Sequence, residues 1–210
     1  MRATSAALAV MEAVRDLSVA LFAPLGASKA QRAEVRCYTE VPFKHGQGKS
    51  AVRPDGLVEI TYGKSTWTAL VEVKTGSAKL EAEQVNAYWD IAREQGFDSV
   101  ITISNEIAVS KDAHPCEGLK VRSNSKVKVQ HYSWTALLSI CEVIQEHHGV
   151  DDPDQAWILG ELIRYLRHPN SGASALEDMG PNWVQVRDAA RDDGLRRSSP
   201  EVKDIATRWD

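Results

Sequence analysis

The stretch Trp-Thr-Ala-Leu-Val-Glu-Val-Lys-Thr, residues 67–75, constrains this chain more than any other. Its Thr, Leu and Val content, with Gly63 before it and Gly76 after it, reads as a β-strand. It is apolar enough to be buried on both faces. It nevertheless carries Glu72 and Lys74, an acid and a base two residues apart. Side chains alternate along a strand, so both project from the same face. A buried charge costs several kcal/mol unless it is paired or binds a metal.

The rest of the chain bounds what that strand can belong to. With 210 residues, 43% of them hydrophobic, it suffices for one well-packed domain and room for a small second one. No apolar run is long enough for a transmembrane helix, and Glu12 and Asp16 interrupt the N-terminal segment, so neither a membrane span nor a signal peptide is expected. Cys37, Cys116 and Cys141 are an odd, widely spaced set, which points to a reducing cytoplasm with no disulfide framework and no zinc site. A net charge of -4 argues against a surface coated in basic residues. Two local segments run the other way. Lys29, Arg32, Arg36, Lys44, Lys49 and Arg53 stand against Glu34 and Glu40, and Lys111, Lys120, Arg122, Lys126 and Lys128 against Asp112 and Glu117. Such segments suit a localised phosphate-binding face, although charge alone favours solvated loops.

Leu8, Met11, Val14, Leu17 and Leu21 space an amphipathic helix over residues 3–23, ended by Pro24 and Gly26. Residues 35–43 read as a strand, 44–50 as a turn or hairpin connection, and 53–62 as a second strand leading through Gly63 into residues 67–75. Short connections predict an antiparallel meander. A helix over 78–95, stopped by Gly96, then precedes the β-branched run 99–104, which predicts a parallel crossover and an αβββαβ order. A fifth strand at 127–134 and a helix at 134–148 follow. After the acidic break at Asp151–Asp154 come helices at about 154–167, 181–193 and from 199. The expected organisation is an α/β domain over 1–150 and a helical appendage over 151–210, which would dimerise or lead into a further region.

Pairing the second and third strands about the 63–66 turn matches positions that sum to about 129, making Asp55 and Glu72 diagonal neighbours roughly 5–8 Å apart on one face. Two carboxylates beside a lysine suit a hard divalent cation. The lysine would favour a hydroxide-like water or stabilise developing negative charge, and the set fits metal-assisted phosphodiester hydrolysis.

Pro54-Asp55, then Glu72-Val73-Lys74, within an αβββαβ order, resembles the PD-(D/E)XK nuclease superfamily. Gln84-Val-Asn-Ala-Tyr88 on the following helix is similar to the Q-x-x-x-Y motif of its RecB-type and Mrr-like members, with both residues on one helix face. The resemblance covers about residues 3–110. It implies a restriction-endonuclease-like core with a mixed central sheet. It also implies a nuclease using Mg²⁺ or Mn²⁺ held by Asp55, Glu72 and the Val73 carbonyl, with Lys74 acting on the attacking water and Gln84 supporting the site. Many members add an acid from the first helix, for which Glu12 is the candidate, with Glu40 and Glu59 as weaker rivals. Arg53 would pair with Asp55 or contact phosphate. The implied partner is DNA, with RNA also open, in restriction, phage defence or repair. The rival reading is a catalytically inactive nucleic-acid-binding or interaction module on the same fold.

The tripeptide alone has little weight, because Glu201-Val202-Lys203 repeats it in a polar helical segment. His147 and His148, adjacent on a helix, point apart. His45, His114, His131 and His168 share no ligand-like spacing. Trp134, Trp157, Trp183 and Trp209 read as core or helix-packing residues.

Overall fold

The structure, a computed structural model, describes residues 2–44, 51–108, 113–121, 125–173, 182–191, 194, 196 and 199–209, with the backbone alone at 51, 148, 204 and 206–209. The expected 44–50 connection beyond Lys44, and Lys49, Lys111 and Arg122 of the basic segments, lie outside those residues.

The N-terminal helix is two helices, α1 (Arg2–Ala13) and α2 (Arg15–Phe22), because Val14 between them is extended, at φ −103° and ψ 105°. The break redirects two backbone groups to new partners. The Arg15 N–H, which a continuous helix would give to Met11, donates to Gln155 Oε1 at 2.9 Å, and the Met11 carbonyl accepts the Ser18 hydroxyl.

Five strands form one mixed open sheet: β1 (Glu34–Thr39), β4 (Gly56–Tyr62), β5 (Ser65–Val73), β6 (Ser99–Ser104) and β7 (Lys128–Ser133), in the order β1-β4-β5-β6-β7. The first three are antiparallel and the last three parallel. β2 (Phe43–Lys44) and β3 (Ala51–Val52) pair separately. The strand expected over 35–43 stops at Thr39, since Glu40 adopts φ 54°, outside the extended region, and Pro42 has no N–H for a ladder. α3 (Ala82–Gln95) makes the crossover from β5 to β6 and ends at Gly96, whose φ of 74° is the usual left-handed stop. α4 (Trp134–Val143) runs into a π turn at Ile144–His148, and α5 (Pro153–Arg167) is capped by Asp152.

β5 alternates between two cores. Ala69, Val71 and Val73 join Leu8, Met11, Leu17, Phe22, Ile101, Ile103 and Trp134 beneath the sheet. Leu70 faces α3, with Tyr88, Trp89, Ile91 and Val100. Glu72 shares the parity of Leu70 and therefore the α3 face. α5, expected in the appendage, buries Leu159, Leu162, Ile163 and Leu166 in the larger core. α6 (Trp183–Arg191) buries none of its residues and packs with α7 (Pro200–Trp209). Trp157, expected to pack, is 65% exposed. Among the described residues no helix is long and apolar enough to cross a membrane.

The hairpin register differs from expectation by two residues. Tyr62 pairs with Ser65 around Gly63, at φ 62°, and Lys64, so partners sum to 127 rather than 129. Tight two-residue turns need positive φ, which Gly63 supplies. An even shift keeps every side chain on its face and brings Asp55 directly level with Glu72.

Candidate active site

The β4–β5 ladder ends at Gly56 opposite Val71. Two residues further, Val73 would face Pro54, which has no N–H to give. Asp55 fills the vacated position: its Oδ2 accepts the Val73 N–H at 2.8 Å. The Val73 carbonyl leaves the same edge of β5 and meets no ladder donor from Pro54. Gly56 lets α1 close over this corner, since a Cβ there would lie 2.6 Å from Leu8 Cδ1.

Glu72 follows on the α3 face, its side chain 3% exposed. Lys74 Nζ donates to Glu72 Oε1 at 2.8 Å and to Gln84 Oε1 at 2.9 Å. An ammonium only donates, so the Gln84 amide must turn its oxygen to Lys74 and its nitrogen to Tyr88, where Nε2 donates to the phenol oxygen at 2.8 Å. Tyr88 in turn donates weakly to the Arg53 carbonyl at 3.4 Å, in front of Pro54. The i, i+4 pair on α3 thus links the ends of both strands. The Lys74 backbone is fixed as well. Its N–H donates to Ile103 O and its carbonyl accepts the Trp134 indole N–H, both at 2.8 Å.

Burial raises the proton affinity of Glu72 above the ordinary carboxylate range, and Asp55 adds to the effect, while Lys74 and Tyr88 oppose it. Burial, with Glu72 nearby, also pushes the Tyr88 phenol up, so it stays a donor. Glu72 Oε2 is buried and accepts no hydrogen bond of normal geometry, although the nearby Tyr88 hydroxyl also stabilises the carboxylate; that is a costly state for a carboxylate oxygen. Asp55, Glu72 Oε2 and the Val73 carbonyl form an all-oxygen donor set, which fits a hard divalent cation completing its shell with water. Among the described residues no group of three or more His, Cys, Asp or Glu side chains gathers in metal-holding geometry, so a cation here would rest on two carboxylates and a carbonyl.

Glu12 is elsewhere. It is exposed, and its Oε2 accepts the Cys37 N–H at 2.7 Å on the outer edge of β1. Glu40 lies closer in the chain trace, its N–H donating to the Asp55 carbonyl at 3.3 Å, with an exposed side chain. Glu59 sits further along β4, between Arg36 and Thr68. Arg53 is exposed and forms no ion pair with Asp55.

The sheet adds neighbours that sequence spacing does not show. Thr102 pairs with Glu72 in register, and His131 with Thr102. Thr102 Oγ1 lies 2.8 Å from His114 Nε2 and 3.0 Å from His131 Nδ1, and the two rings stand 5.5 Å apart. The register of the parallel strands brings Thr102 and His131 to Glu72, while His114 arrives from the connection between β6 and β7. Trp134, read as a core residue, is buried, and its indole also orients the Lys74 carbonyl.

No family model matches the chain, and neither does any curated protein or solved structure.

Proposed function

We propose that the chain is a divalent-metal-dependent nuclease of the PD-(D/E)XK type, hydrolysing DNA phosphodiester bonds with Mg²⁺ or Mn²⁺ and serving restriction, phage defence or repair. The observation that carries this reading is the buried, unpartnered Glu72 Oε2 beside Asp55, with Lys74 restrained on the same face. The order α1, β1, β4, β5, α3, β6 around one mixed sheet supports a restriction-endonuclease-like core.

Asp55, Glu72 and the Val73 carbonyl would hold the cation, which when bound supplies Lewis-acid stabilisation and a lowered pKa for a bound water. The protein does the rest by position. Glu72, costly to ionise without a cation, gives the site its affinity. Lys74 keeps a positive charge where negative charge develops on the phosphate or the attacking water. Gln84 holds the ammonium, and Tyr88 holds Gln84. The inactive-module reading has one observation in its favour: Lys74 already neutralises Glu72 at 2.8 Å.

The test incubates supercoiled DNA, linear DNA and RNA with Mg²⁺, Mn²⁺ or EDTA. Wild type should cut only with the cation, and Asp55→Ala or Lys74→Ala should lower the rate by about 10²-fold or more. A readout independent of cutting is thermal unfolding. Mn²⁺ at about 100 times its Kd should stabilise wild type by roughly 2.7 kcal/mol, and Asp55→Asn and Glu72→Gln should lose that gain. No cutting of any substrate, or equal cutting by both variants, would refute the nuclease. DNA binding without cutting would favour the module.

A further inference from the structure

At the far end of α3 from Gln84, the helix, the 96–98 connection and residues 120 and 125–127 enclose a recess of about 680 Å³. That is within the usual range for small-molecule sites. Three cations line it, Arg93, Lys120 and Lys126, against one acid, Asp98. Asp98 is already engaged, its Oδ2 accepting the Thr68 N–H at 2.8 Å. Arg93 has Asp90 at 3.6 Å, while Lys120 and Lys126 have no ion pair among the described residues. The recess, open to solvent on one side, therefore carries an excess of positive charge, which attracts anions.

Its walls are also aromatic and clamped. The Arg93 guanidinium stands 4.7 Å from the Trp89 ring centroid, with Phe97 alongside. The Arg93 side chain remains 56% exposed, so its outer face is open to a flat partner. Buried Asn86 accepts the Lys120 N–H at 2.8 Å and donates to the Gly118 carbonyl at 3.3 Å. The Trp89 indole N–H donates to the Val127 carbonyl at 3.4 Å. These bonds fix the backbone that presents the cations.

A planar group for the guanidinium and an anion for two lysines describe a nucleotide. From Gln84 to Arg93 the helix advances about 14 Å, a distance that a short single-stranded stretch, whose bases are free to stack on side chains, can span. We propose that this recess binds a nucleotide unit, its phosphate on Lys120 and Lys126 and its base against Arg93 and Phe97. The unit would belong to a strand engaged at Asp55, Glu72 and Lys74. The identity of the strand rests on the nuclease reading; a free nucleoside monophosphate has the same chemistry.

The experiment measures anisotropy of a labelled oligonucleotide with the full chain in EDTA across a salt series. Lys120→Ala/Lys126→Ala should weaken binding about tenfold at low salt and reduce the log–log salt slope by roughly 1.5. The control pair Arg187→Ala/Arg191→Ala, exposed on α6, should change affinity less than about twofold. Saturation-transfer NMR supplies the second arm. AMP should bind wild type, be lost in the lysine double variant, and be displaced poorly by inorganic phosphate. Unchanged affinity and slope in the lysine variant would overturn the proposal, as would an equal loss in the control pair. Displacement of AMP by phosphate alone at equal concentration would overturn the base platform. EDTA keeps the readings separate: failure of wild type to cut strikes the nuclease reading, and unaltered binding in the lysine variant strikes the recess.

Discussion

Thr102 sits between two histidines whose protons its neighbours dictate. The Cys116 N–H donates to His114 Nδ1 at 3.1 Å, so the His114 proton is on Nε2 and points to Thr102. The Glu106 carbonyl accepts from His131 Nε2 at 2.7 Å, so His131 Nδ1 is bare and takes the Thr102 hydroxyl proton. With both rings neutral every member has a partner, and a proton on His114 Nδ1 would face the Cys116 N–H, donor against donor. Burial, with His131 beside it, pushes His114 down to about 4, and burial also lowers His131. Between the unfolded value of about 6.5 and the folded one, the unfolded chain binds more protons. The stability from this row is therefore complete above that range and is lost as pH falls towards 4. Glu72, whose folded value is raised, works in the opposite sense, taking up its proton more readily folded than unfolded. Thermal scans should show Tm falling between about pH 7.5 and pH 5, and falling less in His114→Asn. Thr102→Val should cost about 1–3 kcal/mol by stranding both rings. A wild-type Tm flat across that interval would refute the neutral row.

At the scale of elements, the site depends on how closely α1 approaches the start of β4. Gly56 leaves room for Leu8, which is buried, and sits beside Asp55. Gly56→Ala should overpack this corner at a cost of roughly 1–3 kcal/mol. Leu8→Ala should cost about 2–5 kcal/mol through its cavity. Because one change makes space for the other, the double variant should cost less than the sum by about 0.5 kcal/mol or more. Urea unfolding of the four proteins tests this, and simple additivity would sink it. The elements also show what the sequence could tell. Glu72, Lys74 and Gln84 were readable because strand alternation and helical spacing act over a few residues. The hairpin register was less so, since it depends on whether Gly63 and Lys64 alone make the turn. The break at Val14 was hidden because its partner, Gln155, is distant in sequence. The His114–His131 contact was hidden too, since strand pairing places His131 but His114 is brought in by the connection between β6 and β7.

At the scale of the molecule, the site is closed by residues well beyond the strands that carry it. The Gly172 carbonyl accepts the Gly76 N–H at 2.8 Å and Asn105 Nδ2 at 2.9 Å, tying together the connections that leave β5 and β6. Gly172 adopts φ 77°, and a Cβ there would lie 3.0 Å from Thr75 Cβ, so the approach suits glycine. α5 brings Leu159, Leu162, Ile163 and Leu166 into the core on the way there. At about 1.5–3 kcal/mol for each buried side chain, those four contribute roughly 6–12 kcal/mol, comparable with the whole stability of a domain, about 5–15 kcal/mol. A boundary at residue 150 would remove that contribution together with the Gly172 clamp, whereas among the described side chains of α6 and α7 only Ile205 is buried. We therefore expect a chain ending at residue 173 to unfold cooperatively with a Tm within about 5 °C of the full chain, and one ending at residue 150 to show no cooperative transition. Circular dichroism on both decides it. A cooperative transition in the shorter chain would show that α5 is dispensable to the fold that holds Asp55, Glu72 and Lys74 together.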